Sequence, residues 1–188
     1  MSQEQNYTVF TGDRLLGAGQ LNEILYQAKE YIDAQQRAGT DPAMLIFEDE
    51  SGRQIDFDFQ GSAEQVVARA MPPSRLGPGR PRLGVVAREV SLLPRHWEWL
   101  ERQPNGASAA LRRLVDEARK HEPPEARARI AMDTTYRVMT ALGGDRPGYE
   151  EAIRALYAKD RARFTALTKE WPADVLRYLE RLSGDAFL

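Results

Sequence analysis

The stretch VVAREVSLL (Val85–Leu93) determines the architecture that we predict for this chain. Its β-branched and leucine side chains are typical of a β-strand, and it has no hairpin partner nearby in the sequence. An isolated strand leaves its backbone N–H and C=O groups without hydrogen bonds. We therefore expect this strand to join another sheet of the chain or to pair with the same strand of a second chain.

Two helices are predicted after the strand. Pro94 fits the first turn of a helix, where the N–H that proline lacks would be unbonded anyway, and Gln103–Gly106 ends this helix. Trp97 and Leu100 are expected on its inner face. Ser108 is predicted to cap the second helix, whose apolar residues recur at helical spacing: Leu111, Leu114, Val115 and Ala118.

Residues 85–121 resemble the ribbon-helix-helix family of DNA-binding proteins, whose second helix begins with Gly-x-Ser, here Gly106-Ala107-Ser108. The resemblance implies a homodimer in which two strands form an antiparallel ribbon in the major groove of double-stranded DNA. It also implies that the second helix points its N-terminus at a phosphate. General physics supports both roles, since a two-stranded ribbon fits the major groove and helix-end amides bind anions.

The resemblance also implies site residues, with Arg88 and Ser91 as candidate base readers and Ser108 at the candidate phosphate contact. The stretch Gly79-Arg80-Pro81-Arg82 is similar to the core of a minor-groove AT-hook but lacks its basic flanks, so a solvated linker is the alternative. The full predicted DNA-binding set is Arg80, Arg82, Arg88, Ser91, Ala107, Ser108, Ala109 and Arg112. The predicted dimer core is Val90, Leu92, Trp97, Leu100, Leu111 and Leu114.

The register of the strand stays open at this point. If Val90 and Leu92 face the core, alternation turns Arg88 inward and Glu89 outward, where phosphate repels it. The opposite register exposes Arg88 but also both apolar side chains. A β-bulge would reconcile the two registers.

The segment before the strand, residues 1–70, predicts a small α+β domain with the element order ββαββα. Its signals are a hairpin at residues 7–16, a helix from Leu21 that Gly39 closes, a second hairpin at residues 44–59 and a capping box at Ser62. We expect the helices on one face of the sheet. Alternation in the last strand places Asp56 and Asp58 on its solvent-exposed face.

The remaining segments are a Pro/Gly-rich linker at residues 71–84 and a helical domain at residues 122–188. The predicted fold class is therefore α+β: an N-terminal ββαββα domain, a central ribbon-helix-helix-like segment and a C-terminal helical domain. Aromatic residues at helical spacing in the last segment are interpreted as core rather than as a ligand pocket.

Charge distinguishes these segments, although the total is only −2. Residues 1–74 carry 5 Lys or Arg against 12 Asp or Glu, whereas residues 75–120 carry 10 against 5. The near-neutral total therefore does not exclude nucleic acid, and it places any binding in the basic middle segment.

Composition excludes several classes of site and compartment. The chain has no cysteine and two histidines, which removes thiolate metal sites and disulfides, and it has no phosphate loop or dinucleotide fingerprint, so we expect no cofactor. We expect no membrane partner and a cytoplasmic location, because neither an apolar leader nor a spanning run is evident.

The whole chain resembles an uncharacterised bacterial family, a domain of unknown function, at residues 7–12, 52–58, 84–100 and 160–164. That resemblance implies no activity. Our leading hypothesis is a homodimeric DNA-binding protein acting as a transcriptional regulator, not an enzyme. The alternative is a non-enzymatic dimer that uses residues 85–121 only for assembly and binds a protein or small molecule with its N- or C-terminal domain.

Overall fold

The structure of the protein, a computed structural model, describes residues 5–72 and 88–188. The chain divides into two compact units. The core unit comprises Met1–Pro73 and Pro124–Leu188, and the central unit comprises Ser74–Pro123. The class is α+β, as predicted, with one small antiparallel sheet near the N-terminus followed by helices.

The sheet of the core unit has the strand order β2-β1-β3-β4. Its strands are β1 (Asn6–Thr11), β2 (Arg14–Gln20), β3 (Met44–Glu48) and β4 (Arg53–Gln54). The hairpin of β1 and β2 is confirmed, and Gly12 turns it with a φ of 53° that favours glycine.

The second hairpin is shorter than predicted. Strand β4 has only two residues, and the Ile55 amide donates the last bond to the Ile46 carbonyl at 2.8 Å. The predicted strand at residues 55–59 is therefore wrong beyond this point. Its apolar side chains pack against the cluster between the sheet and the first helix instead of continuing the ladder. Asp56 and Asp58 are exposed, so the predicted alternation of faces holds even without strand pairing.

One face of the sheet carries helix α1 (Leu21–Arg37), and helix α2 (Ala63–Ala70) packs against α1. Buried residues of β1 and β3 meet buried residues of α1 there: Tyr7, Val9, Ile46, Ile24 and Ala28. The predicted capping box at the start of α2 is present, with the Ser62 hydroxyl accepting from the Gln65 amide.

The opposite face is covered by the C-terminal helices, which lie outside the predicted ββαββα domain. These are α5 (Pro124–Gly143), α6 (Tyr149–Tyr157), α7 (Arg161–Thr168) and α8 (Ala173–Leu182), followed by a 3₁₀ helix (Gly184–Phe187). Phe10 and Phe47 project from the sheet, and their ring centroids lie 5.4 and 6.0 Å from that of Tyr178 on α8. The first and last segments of the chain therefore share one hydrophobic core.

A polar network joins the sheet to α8 beside this core. The Asp49 carboxylate accepts hydrogen bonds from Thr8 (2.7 Å), Tyr178 (3.0 Å) and Arg181 (2.9 Å). Arg181 also donates to the Thr8 hydroxyl at 2.9 Å. Burial, followed by the charge of Asp49, raises the pKa of Tyr178, so this phenol stays a hydrogen-bond donor. Every side chain of this network has a hydrogen-bond partner, and we interpret its role as structural, since it holds α8 against the sheet.

A second contact to α8 predicts acid sensitivity. The Leu15 amide donates to Asp174 Oδ2 at 2.9 Å, and this bond lowers the pKa of that carboxyl. A depressed folded-state pKa stabilises the fold above the pKa of the unfolded carboxyl, and that stabilisation is lost as pH falls through the folded-state pKa. Urea unfolding at pH 7 and pH 3 should therefore show a smaller drop in stability for Asp174→Asn than for wild type. Asp145→Asn, at an exposed turn, is the control; equal drops for Asp174→Asn and wild type contradict the prediction.

Candidate dimer and nucleic-acid interface

The described part of the central unit, residues 88–123, contains two helices, α3 (Pro94–Glu101) and α4 (Gly106–Lys120). Both helices were predicted, and Pro94 occupies the first helical turn as expected. Residues 102–105 form the turn between them.

The predicted strand is not formed in the part that the structure describes. Residues 88–93 have no regular secondary structure, and the sheet of the core unit does not include them. Residues 85–87 lie outside the described residues. A strand needs a hydrogen-bonded neighbour, and the described residues of the chain supply none to residues 88–93, so the alternative in which they join the sheet is wrong. Pairing with a second chain stays a prediction.

Helix α4 begins earlier than predicted, so Ser108 is not its cap. Asn105, with a left-handed φ of 67°, is the N-cap, and Ser108 is the third helical residue. The left-handed turn at Asn105 lets the helix start at Gly106. No side chain caps the start of α4, and its first turn carries no acidic residue. These two features leave the positive end of the helix open to an anion.

The described part of the central unit has almost no core of its own. Among residues 88–123, only Leu100 and Ala110 are buried hydrophobic residues. Six large apolar side chains of this segment are exposed: Val90, Leu93, Trp97, Trp99, Leu114 and Val115. Trp97, expected on the inner face of α3, is 37% exposed in the single chain.

The residues of the predicted dimer core therefore differ in how deeply they are buried in the single chain. Leu100 is buried, Leu92 and Leu111 are half-buried, and the other predicted members are exposed: Val90, Trp97 and Leu114. An apolar groove of about 270 Å³ is lined by four of these predicted residues, which are Leu92, Leu100, Leu111 and Leu114. His96 and Trp99 line it as well. We call this the central groove. Leu93 and Trp99 belong to the exposed apolar surface but were not among the predicted core residues. For Leu93 the sequence does contain a signal, because Leu93, Trp97 and Leu100 share a helical spacing.

The predicted DNA-binding residues are accessible where the structure describes them. Arg88, Ser91, Ser108 and Arg112 are exposed, and Ala107 and Ala109 are half-buried in the first turns of α4. Arg80 and Arg82 lie outside the described residues. Residues 88–123 carry 7 Lys or Arg against 6 Asp or Glu, so most of the basic excess of the middle segment comes from Arg75, Arg80 and Arg82.

A membrane-spanning helix and a cluster of metal ligands are both absent from the described residues. None of the helices in residues 5–72 and 88–188 combines the length and apolarity required to cross a bilayer. The same residues contain no group of three or more histidine, aspartate or glutamate side chains placed to hold a metal ion.

Comparison with known proteins identifies relatives at the level of a family. The model of a family described as "Uncharacterized protein conserved in bacteria (DUF2239)" matches residues 6–183. The match includes both units and confirms the predicted resemblance to an uncharacterised bacterial family. Comparison with curated proteins and with solved structures found no match.

Proposed function

The chain belongs to the bacterial DUF2239 family, and we propose that it is a homodimeric DNA-binding protein that regulates transcription through its central unit. The observation that carries the proposal is the apolar surface of this unit. Among residues 88–123, six large apolar side chains are exposed and only two hydrophobic residues are buried. Exposed apolar surface of this kind is typical of an interaction site.

A second copy is the partner that this surface fits best. Helix α3 has 8 residues, and isolated helices shorter than about 12–15 residues are marginal in water. Two copies related by a two-fold axis bring the same groove together, so that each chain covers the leucines and tryptophans of the other. The same axis offers residues 88–93 the antiparallel partner that they lack in one chain.

DNA is the proposed ligand of the dimer because of the resemblance to ribbon-helix-helix proteins and the open start of α4. Its first turn lacks both a side-chain cap and an acidic residue, and amides at such an end bind phosphate. Arg112 lies exposed on the next turn, and Arg88 and Ser91 are exposed on the preceding segment. Glu89 is also exposed and opposes phosphate, so it should weaken binding in the wild type.

The dimer interface has its own test. Leu114→Glu places a charge in the central groove, where a second chain would bury it, and should convert the dimer to a monomer in sedimentation velocity. Lys120→Glu, at an exposed position of the same helix outside the groove, should leave the dimer intact. A wild-type chain that sediments as a monomer overturns the proposal.

DNA binding is tested by fluorescence anisotropy of a labelled duplex at increasing salt. Affinity should fall steeply with salt, and Arg112→Gln should weaken binding and reduce the salt slope by about 1 per lost phosphate contact. Glu89→Gln should strengthen binding. Arg154→Gln, an equal charge change in α6 of the core unit, should have little effect. Absence of binding at low salt contradicts the proposal.

The second candidate function is a dimer that uses the central unit only for assembly. The near balance of charge in residues 88–123, with 7 basic and 6 acidic side chains, favours it. In that case, replacing Arg88, Arg112 and Arg113 by Glu would leave ligand binding by the core unit unchanged, whereas Trp97→Ala would still disrupt the dimer. The core unit would then bind a protein or small molecule.

A further inference from the structure

We propose that a cavity among the last helices of the core unit binds an apolar monocarboxylate, such as a medium-chain fatty acid. This C-terminal pocket has a volume of about 440 Å³ and lies among α7, α8 and the 3₁₀ helix. Its volume falls within the range of small-molecule sites, about 300–1,000 Å³. The inference concerns a different unit from the proposed DNA interface and stands independently of it.

One part of the wall of the C-terminal pocket is apolar. Phe164 and Leu179 are 4% and 1% exposed, and Leu176 and Phe187 are half-buried beside them. The rings of Phe164 and Phe187 pack with their centroids 5.6 Å apart. Such a wall suits a hydrocarbon body, because burying apolar surface is the main favourable term for a ligand of this kind.

A serine hydroxyl without a protein partner lines the same pocket. Ser183, which follows the last residue of α8, is 3% exposed, and its hydroxyl makes no hydrogen bond to any described residue. The nearby Thr168 hydroxyl differs, since it donates to the Phe164 carbonyl at 3.0 Å. Because this hydroxyl has no protein partner and lines the pocket, it can donate a hydrogen bond to a ligand atom.

The charged groups at the pocket favour an anion. Arg161 and Lys169 line it with two cations, and Glu180 contributes the single carboxylate. The Arg161 side chain makes no ion pair or hydrogen bond with the described residues, and Lys169 reaches only Glu170, at 3.6 Å. A guanidinium matches the two oxygens of a carboxylate, and a serine hydroxyl adds a donor. An apolar tail with one carboxylate therefore matches both the wall and the rim.

The experiment measures binding to the full chain by isothermal titration calorimetry with three probes of equal chain length: octanoate, 1-octanol and octylammonium. Octanoate should bind most tightly. Arg161→Gln should weaken octanoate binding about tenfold, in line with the loss of a charged hydrogen bond, and Ser183→Ala should weaken it less. Glu180→Gln should strengthen it by removing a like charge. Arg163→Gln, on the same helix but outside the pocket, should leave it unchanged.

Several results would overturn the inference: no binding of octanoate, equal affinity for octanoate and octanol, preference for octylammonium, or equal effects of Arg161→Gln and Arg163→Gln. Because direct binding is measured without DNA, failure here leaves the proposed DNA-binding function unaffected. Failure of DNA binding would likewise leave this inference unaffected.

Discussion

Phe47→Ala is expected to lower the free energy of unfolding by about 3–5 kcal/mol, the usual loss when a buried phenylalanine is truncated to alanine. Phe47 is fully buried in strand β3. Its ring lies 6.4 Å from that of Phe10 and 6.0 Å from that of Tyr178, centroid to centroid. The variant therefore leaves a cavity where the sheet meets α8, and both parts should lose stability together.

Urea unfolding followed by far-UV circular dichroism and by hydrogen exchange checks this expectation. A single shifted transition, with protection lost equally in β1 to β3 and in α5 to α8, is the predicted result. Phe59→Ala, at a half-buried position outside the sheet, is the control and should cost less. Retention of wild-type stability by the C-terminal helices would show that the two segments fold as separate domains.

Gly52→Ala should destabilise the core unit by about 2–5 kcal/mol, from backbone strain and overpacking combined. Gly52 has a φ of 66°, and a Cβ atom there would lie 2.4 Å from the backbone oxygen of Thr134 on α5. The turn between β3 and β4 touches α5 at this point, where Arg137 donates to the Ser51 carbonyl at 2.7 Å. An added methyl group would separate the turn from the helix.

A substitution at a second glycine measures the cost of backbone strain without a close contact to α5. Gly39 has a φ of 78°, and nothing lies within 4 Å of a Cβ atom built on it. Gly39→Ala should therefore cost only the strain of the left-handed conformation, about 1–2 kcal/mol. Chemical denaturation of both variants measures the difference. Equal losses at the two positions would mean that the contact between Gly52 and Thr134 contributes nothing.

Local signals were sufficient to predict most elements of the fold. The first hairpin, the Ser62 capping box and Pro94 at the start of α3 each depend on residues close together in the sequence, and each is present. The burial of the second face of the sheet under the C-terminal helices was not predicted, although the sequence contains a signal for it. The apolar run Met44–Phe47 does not alternate with polar residues, which is typical of a strand buried on both faces.

Contacts between distant parts of the chain could not be predicted from one sequence. The network of Thr8, Asp49 and Arg181 joins residues 41 and 173 positions apart, and no motif links them. Similarly, α4 starts at Gly106, ahead of Ser108, because Asn105 adopts the left-handed conformation. The predicted strand at residues 85–93 needs a hydrogen-bonded partner, and one sequence does not identify that partner.

Sedimentation velocity of the full chain with a fluorescently labelled duplex at low salt tests the proposed function most directly. We expect the duplex to co-sediment with two chains, each of 21.3 kDa, and to be released as the salt concentration rises. Leu114→Glu should abolish this complex. A duplex that sediments free of protein at low salt, or that carries a single chain, would contradict a homodimeric DNA-binding protein.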